Sequence, residues 1–137
     1  MLRRRRVLLG ALIVAPVAAL VLAGAPLPSG TLHDVASRFA PGDGTTLVSE
    51  SSEPLRLFCL GGQPCPSVHR LWALDERPST GEVQAWVTVA GYDAVVEGDC
   101  ESGWCSARGT ADGWQVKVSV TKEHFDGPSQ LLLSVRS

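Results

Sequence analysis

Four arginines, Arg3 to Arg6, are followed by nineteen residues, Val7 to Ala25, that carry no charge and no strongly polar group. As a helix this stretch would reach roughly 28 Å, close to the hydrocarbon thickness of a bilayer. Basic residues before it and acidic ones after it place the N-terminus in the cytoplasm and the body, from about Pro26 onward, outside. Residues 1–25 therefore read either as a single transmembrane anchor, contacting the membrane through residues 7–25, or as an export signal cleaved near Ala23 or Ala25. Pro16 would kink a permanent span, and Pro26 hinders a cut after Ala25. Either fate leaves the body extracytoplasmic: a single-pass membrane protein or a secreted one.

Past the Pro26-Leu27-Pro28-Ser29-Gly30 linker, Leu32, Val35, Ala36 and Phe39 recur at helical spacing. This predicts a short helix over 31–40, capped by Thr31 and ended by Pro41-Gly42-Asp43-Gly44. Ser49 to Pro54 reads as a polar loop, so residues 26–54 form a linker containing one short helix. Leu55–Cys59 and Val68–Leu74 read as strands joined in a hairpin through Gly61-Gly62-Gln63-Pro64. Ser79-Thr80-Gly81-Glu82 matches a capping box. Val83, Trp86, Val87 and Ala90 then follow on one face, with Gly91 placed to stop the helix, which spans about 79–91.

From Tyr92 the period changes to two. Tyr92–Glu97, Trp104–Gly109, Trp114–Thr121 and Gln130–Arg136 read as strands, and Asp112-Gly113 is a hairpin turn signal. On the third of these, Trp114, Val116, Val118 and Val120 share one face, and Gln115, Lys117, Ser119 and Thr121 the other. The expected fold is α+β: a single small domain over residues 55–137, with a mostly antiparallel sheet of five to six strands and the 79–91 helix packed across its apolar face.

Charge narrows the partners. The four leading arginines are a third of the twelve basic residues, so the body holds eight basic against fourteen acidic groups. An acidic body argues against nucleic acid, whose phosphates require a basic face. Arginine outnumbers lysine ten to two, a ratio that resembles the coding bias of GC-rich bacterial genomes and says nothing about chemistry.

Cys59, Cys65, Cys100 and Cys105 all lie in the exported part, where an even count favours disulfides. Three pairings are open. The local one, Cys59 with Cys65 and Cys100 with Cys105, closes two predicted strand connections and is the expected one. Spacings of five and four intervening residues do not fit the paired Cys-x₂-Cys knuckles of a zinc site. No Cys-x-x-Cys beside a βαβ unit points to thiol redox chemistry.

Catalytic signals are weak. Ser67 and His69 share a strand face with Asp75 nearby in sequence, but no Gly-x-Ser-x-Gly elbow supports a triad. His33 and His124 read as exposed bystanders. Gly61-Gly62 lacks the lysine and helix of a phosphate loop. Glu97, Asp99 and Glu101 alternate as calcium ligands could, but Gly98 and Cys100 interrupt the run, and a solvated turn is the better reading. With Trp104 they form the most distinctive surface group, an apolar anchor and three acids around a bridged tip. Trp72, Trp86 and Trp114 read as core.

The arginine-rich leader, small body and four cysteines resemble cell-envelope proteins of GC-rich bacteria. Size and an expected pair of disulfides are similar to those of secreted inhibitors of the subtilisin-inhibitor type, but no matching cysteine spacing or reactive loop is present. The sequence thus leads to a non-enzymatic binding domain of the cell envelope, tethered or secreted, engaging an envelope protein partner through Trp104, Glu97, Asp99 and Glu101, with no metal or cofactor. The alternatives are a secreted protease inhibitor or soluble ligand binder, and a small hydrolase with an atypical site.

Overall fold

A computed structural model describes residues 30–53, 65–122 and 128–137. In chain order it contains α1 (Gly30–Ser37), β1 (Thr45–Glu53), β2 (Ser67–Leu74), α2 (Thr80–Val89), β3 (Asp93–Asp99), β4 (Trp104–Ala111), β5 (Trp114–Lys122) and β6 (Ser129–Arg136). The strands form one sheet in the order β1-β2-β6-β5-β4-β3. Every neighbouring pair is antiparallel. After β2 the chain crosses through α2 to the far edge and returns by a β3-β4-β5-β6 meander, so that the last strand pairs with the second.

One face of this sheet is apolar because the period of two is kept in register across it. Val68, Val135 and Val116 align on β2, β6 and β5, the next row sets Leu133 between Arg70 and Val118, and the row after it holds Leu131 between Trp72 and Val120. Both helices pack there. The α1 stripe of Leu32, Val35 and Ala36, with Phe39 just beyond it, is buried in the same core as Val83 and Val87 of α2. Side chains this size contribute about 1.5–3 kcal/mol each when fully buried. Residues 30–53 thus supply a core helix and an edge strand to the unit formed by the other described residues.

The predicted signals at α2 are all used. Ser79 Oγ accepts from the Glu82 amide at 3.2 Å, and the Ser79 amide donates to Glu82 Oε2 at 2.7 Å. That second bond, charge-assisted, holds the Glu82 carboxyl below the usual carboxylate range. At the other end Gly91 takes φ 73, its amide bonds to the Thr88 carbonyl and the Tyr92 amide to Val87. These two bonds are a Schellman closure, which needs a residue free to turn left-handed. At the β4–β5 turn Asp112 and Gly113 have φ 50 and 83, the left-handed pair that a two-residue hairpin turn demands.

Three expectations change. The polar segment Ser49–Glu53 is not a loop but the end of β1, a nine-residue edge strand exposed along most of its length. Its residues from Thr46 to Glu53 are exposed on both faces, so no hydrophobic alternation marks it, and backbone pairing with β2 defines it; a bulge between Leu47 and Ser49 adjusts the register. Residues 54–64, and with them the predicted strand Leu55–Cys59, lie outside the described residues. Ser67–Leu74 nevertheless pairs with β1 on one side and β6 on the other, leaving no edge for the expected hairpin. Finally, the first helix runs over Gly30–Ser37 and not 31–40: Thr31 lies inside it instead of capping it, and it ends ahead of Phe39, before Pro41 is reached.

Arg70 stands on the covered face opposite Leu133, at the margin of the core. Its Nη1 donates to the Ala36 carbonyl at 3.1 Å, near the end of α1, and its Nε pairs with Glu50 of β1. One guanidinium thereby satisfies a helix-end carbonyl and ties the edge strand to the helix layer.

Tyr92 makes the corresponding link from α2. Its hydroxyl donates to the Val35 carbonyl at 2.6 Å, and its ring stacks on Phe39 at 6.1 Å. Burial pushes the phenol up to about 12, against the opposing pull of Arg38 and Arg70. An unfolded chain releases this proton near pH 10, so between about pH 10 and 12 the folded state binds more protons than the unfolded one. Stability is therefore complete below about pH 10 and falls as pH rises through that window, by on the order of 2 kcal/mol. Urea melts across this range should show the decline in the wild type. Tyr92→Phe should lose about 1 kcal/mol at neutral pH and show a shallower alkaline decline; equal slopes would mean the phenol is already solvated.

Candidate functional site

The opposite face of the sheet is covered by neither helix. It presents the second set of alternating residues: His69 and Leu71 from β2, Leu132 and Ser134 from β6, Lys117 and Ser119 from β5, Ser106 and Arg108 from β4. The small serines Ser106 and Ser119 are buried here among longer neighbours, while Leu132, Val95 and Trp104 stay exposed.

At one end of this face lies the tip between β3 and β4. Cys100 and Cys105 form a disulfide with their Cα atoms 4.7 Å apart, as the local pairing expects. The other expected bridge involves Cys59, which lies outside the described residues. The tip is fastened to the start of α2: the Cys100 amide donates to Thr80 Oγ1 at 3.2 Å, and Arg77 Nη1 to the Glu101 carbonyl at 2.6 Å.

Strand β3 does continue through Asp99, which puts Asp99 directly opposite Trp104 and Glu97 opposite Ser106. Glu97, Asp99 and Trp104 thus meet at the sheet edge, with Glu101 in the turn. The carboxylates do not act as a set. Asp99 Oδ1 accepts from the Glu101 amide at 3.0 Å and from the Ser102 amide at 3.4 Å, so this acid shapes its own turn. Among the described residues no group of three or more His, Cys, Asp or Glu could hold a metal ion. Trp104 is 55% exposed although its ring lies against Gly98, where an added Cβ would stand 3.1 Å from the ring. It is both folded onto its own hairpin and available at the surface. Trp72 is buried as expected, whereas Trp86 and Trp114 are partly buried against the core.

Ser67 and His69 do share the uncovered face, but no hydrogen bond joins them, and the depression beside His69 is lined by Arg108, Lys117 and Arg136 without a carboxylate. No local pattern in the sequence marks that cationic grouping. The alternation on β5 placed Lys117 on the polar face, yet only strand register brings Arg108 and Arg136 beside it. A second depression, of about 280 Å³, lies where Asp43, Asp75, Glu76 and Glu82 approach Arg77 and Trp86; Glu82 there is already committed to its helix cap. No helix among the described residues is long and apolar enough to cross a membrane, and the expected span 7–25 lies outside them.

Compared with known proteins, the chain matches no family model, no curated protein and no solved structure.

Proposed function

We propose that the chain is a non-enzymatic binding domain of the cell envelope, held outside the cytoplasm by residues 7–25 or released there, that engages an envelope partner with its uncovered sheet face. The observation that carries this reading is the bridged tip at the end of that face, where Trp104 stands more than half exposed on a backbone held by the Cys100–Cys105 disulfide. A tip already fixed by a covalent bridge and by bonds from Arg77 and Cys100 loses little further entropy on binding. Tryptophan offers a large rigid surface, and the neighbouring Glu97 and Glu101 would act mainly on association rate and its salt dependence. The location follows from the arginine run and the apolar stretch alone.

A reporter that works only outside the cytoplasm, fused to the C-terminus of the full chain, should be active; activity of a cytoplasmic reporter instead would reverse the topology. In envelopes, Trp104→Ala should weaken attachment by about 2 kcal/mol or more, roughly thirtyfold, with little change in melting temperature. A sharp fall in melting temperature with attachment intact would make Trp104 a packing residue and move the contact elsewhere.

A further inference from the structure

Away from the tip, the uncovered face gathers positive charge. Arg108 on β4 stands directly opposite Lys117 on β5. Lys117 in turn faces Ser134 of β6, two residues before Arg136, which makes Arg136 its diagonal neighbour. Directly facing side chains have Cβ atoms about 5 Å apart and diagonal ones about 7–8 Å. His69 of β2 completes the row on the far side of Ser134. These residues, with Gln115, line an open depression of about 360 Å³, within the range of small-ligand sites.

The cations are not there to balance the protein's own acids. Arg38 pairs with Asp112 and Arg70 with Glu50, whereas Arg108, Lys117 and Arg136 have no ion pair or side-chain hydrogen bond among the described residues. Asp93 and Glu97 on the edge strand flank Arg108 only diagonally, and neither closes a pair with it. Like charges set directly across a strand pair destabilise a sheet. In a body with six more acidic than basic groups, three cations left together carry a cost in the free protein that a bound anion would remove.

We propose that this depression binds a phosphoryl group, a phosphate monoester or diester. The inference rests on the uncovered face being the binding surface, and it names the chemistry taken there. Two guanidinium forks around one ammonium match the several oxygens and high charge of a phosphate, where a single carboxylate would leave most of the charge unmet. Gln115 and Ser134 add neutral donors, and the imidazole of His69 can donate at the rim.

The test is a titration of the full chain, in non-ionic detergent at low ionic strength, with inorganic phosphate, using acetate as the control anion. Phosphate should bind. Lys117→Gln and Arg108→Gln should each weaken it at least tenfold while leaving the melting temperature unchanged or raised, because each relieves the facing pair. Arg38→Gln, on the helix side, should leave binding as it was. Displacement by glycerol 3-phosphate would identify a monoester source, and stronger displacement by glycerophosphoglycerol a diester such as a headgroup or polymer; either supports the site. No binding of phosphate, equal binding of acetate, or unaltered affinity in both variants overturns it. If phosphate binding fails while Trp104-dependent attachment persists, the ligand chemistry is wrong and the binding-face reading stands. If phosphate binds through Lys117 while Trp104→Ala leaves attachment intact, the tip is wrong and the phosphoryl site stands.

Discussion

Gly109→Ala is expected to cost about 4 kcal/mol, an unusually large loss for the addition of one methyl group. A Cβ built at Gly109 would stand 1.8 Å from the Asp93 carbonyl oxygen and 2.7 Å from the Ala94 side chain. The nearest obstacle is backbone, which no rotamer change can move aside. Strand β4 is held on its other side by β5, so the shift must be taken by β3, the edge strand. Overpacking of this kind costs about 1–3 kcal/mol, and loosening the ladder around the Asp93–Thr110 and Ala94–Gly109 pairs adds about 1 kcal/mol per hydrogen bond lost. The contact between α2 and β3 carries the disturbance into the core. Gly113→Ala is the matched comparison: nothing lies within 4 Å of its Cβ position, and only its φ of 83 resists a side chain. That change should cost about 1–2 kcal/mol. Urea melts of both variants decide the matter, since comparable losses would show that β3 does not approach Gly109 closely.

The second large effect belongs to Phe39. It is 2% exposed, with its ring 5.6 Å from that of Trp72 and 6.1 Å from that of Tyr92. Truncation to alanine removes a fully buried aromatic and leaves a cavity between the first helix and the sheet, a change that costs about 3–5 kcal/mol. For a domain of this size the melting temperature should fall by roughly 15 °C or more. Phe39→Leu, which keeps most of the volume, should cost under about 1.5 kcal/mol. A drop of only a few degrees for the alanine variant would mean that α1 and its stripe are not part of the cooperative unit.

These two residues differ in how far the sequence announces them. Phe39 continues the helical spacing Leu32, Val35, Ala36, Phe39, and that spacing announces its burial although α1 itself ends at Ser37. Gly109 carries no such sign, because its role depends on how near a strand sixteen residues away comes to it. The same division runs through the candidate site. The Cys100–Cys105 tip was legible because both cysteines bracket one local turn, whereas the sequence left open whether Trp104, between Gly103 and Cys105, folds onto its own hairpin or stands exposed, and the structure shows both. The commitment of Asp99 to its own turn was not legible, since an aspartate free in solution and one accepting two amides have the same neighbours in sequence.

The sequence by itself determined the helix capped by Ser79 and Glu82 and stopped at Gly91, the left-handed turn at Asp112-Gly113, and the alternating strands that bury one face. Each of these is settled within one turn or one strand, where side-chain period and local hydrogen bonding act directly on the backbone. Tertiary structure alone decided that Thr45–Glu53 is a strand, for an edge open on both faces leaves no hydrophobic period to read. It also decided that β6 inserts between β2 and β5, and so that Arg108, Lys117 and Arg136 share one patch. Which strands become neighbours is a long-range choice, made by the fit of whole apolar faces against two helices, and no local pattern encodes it.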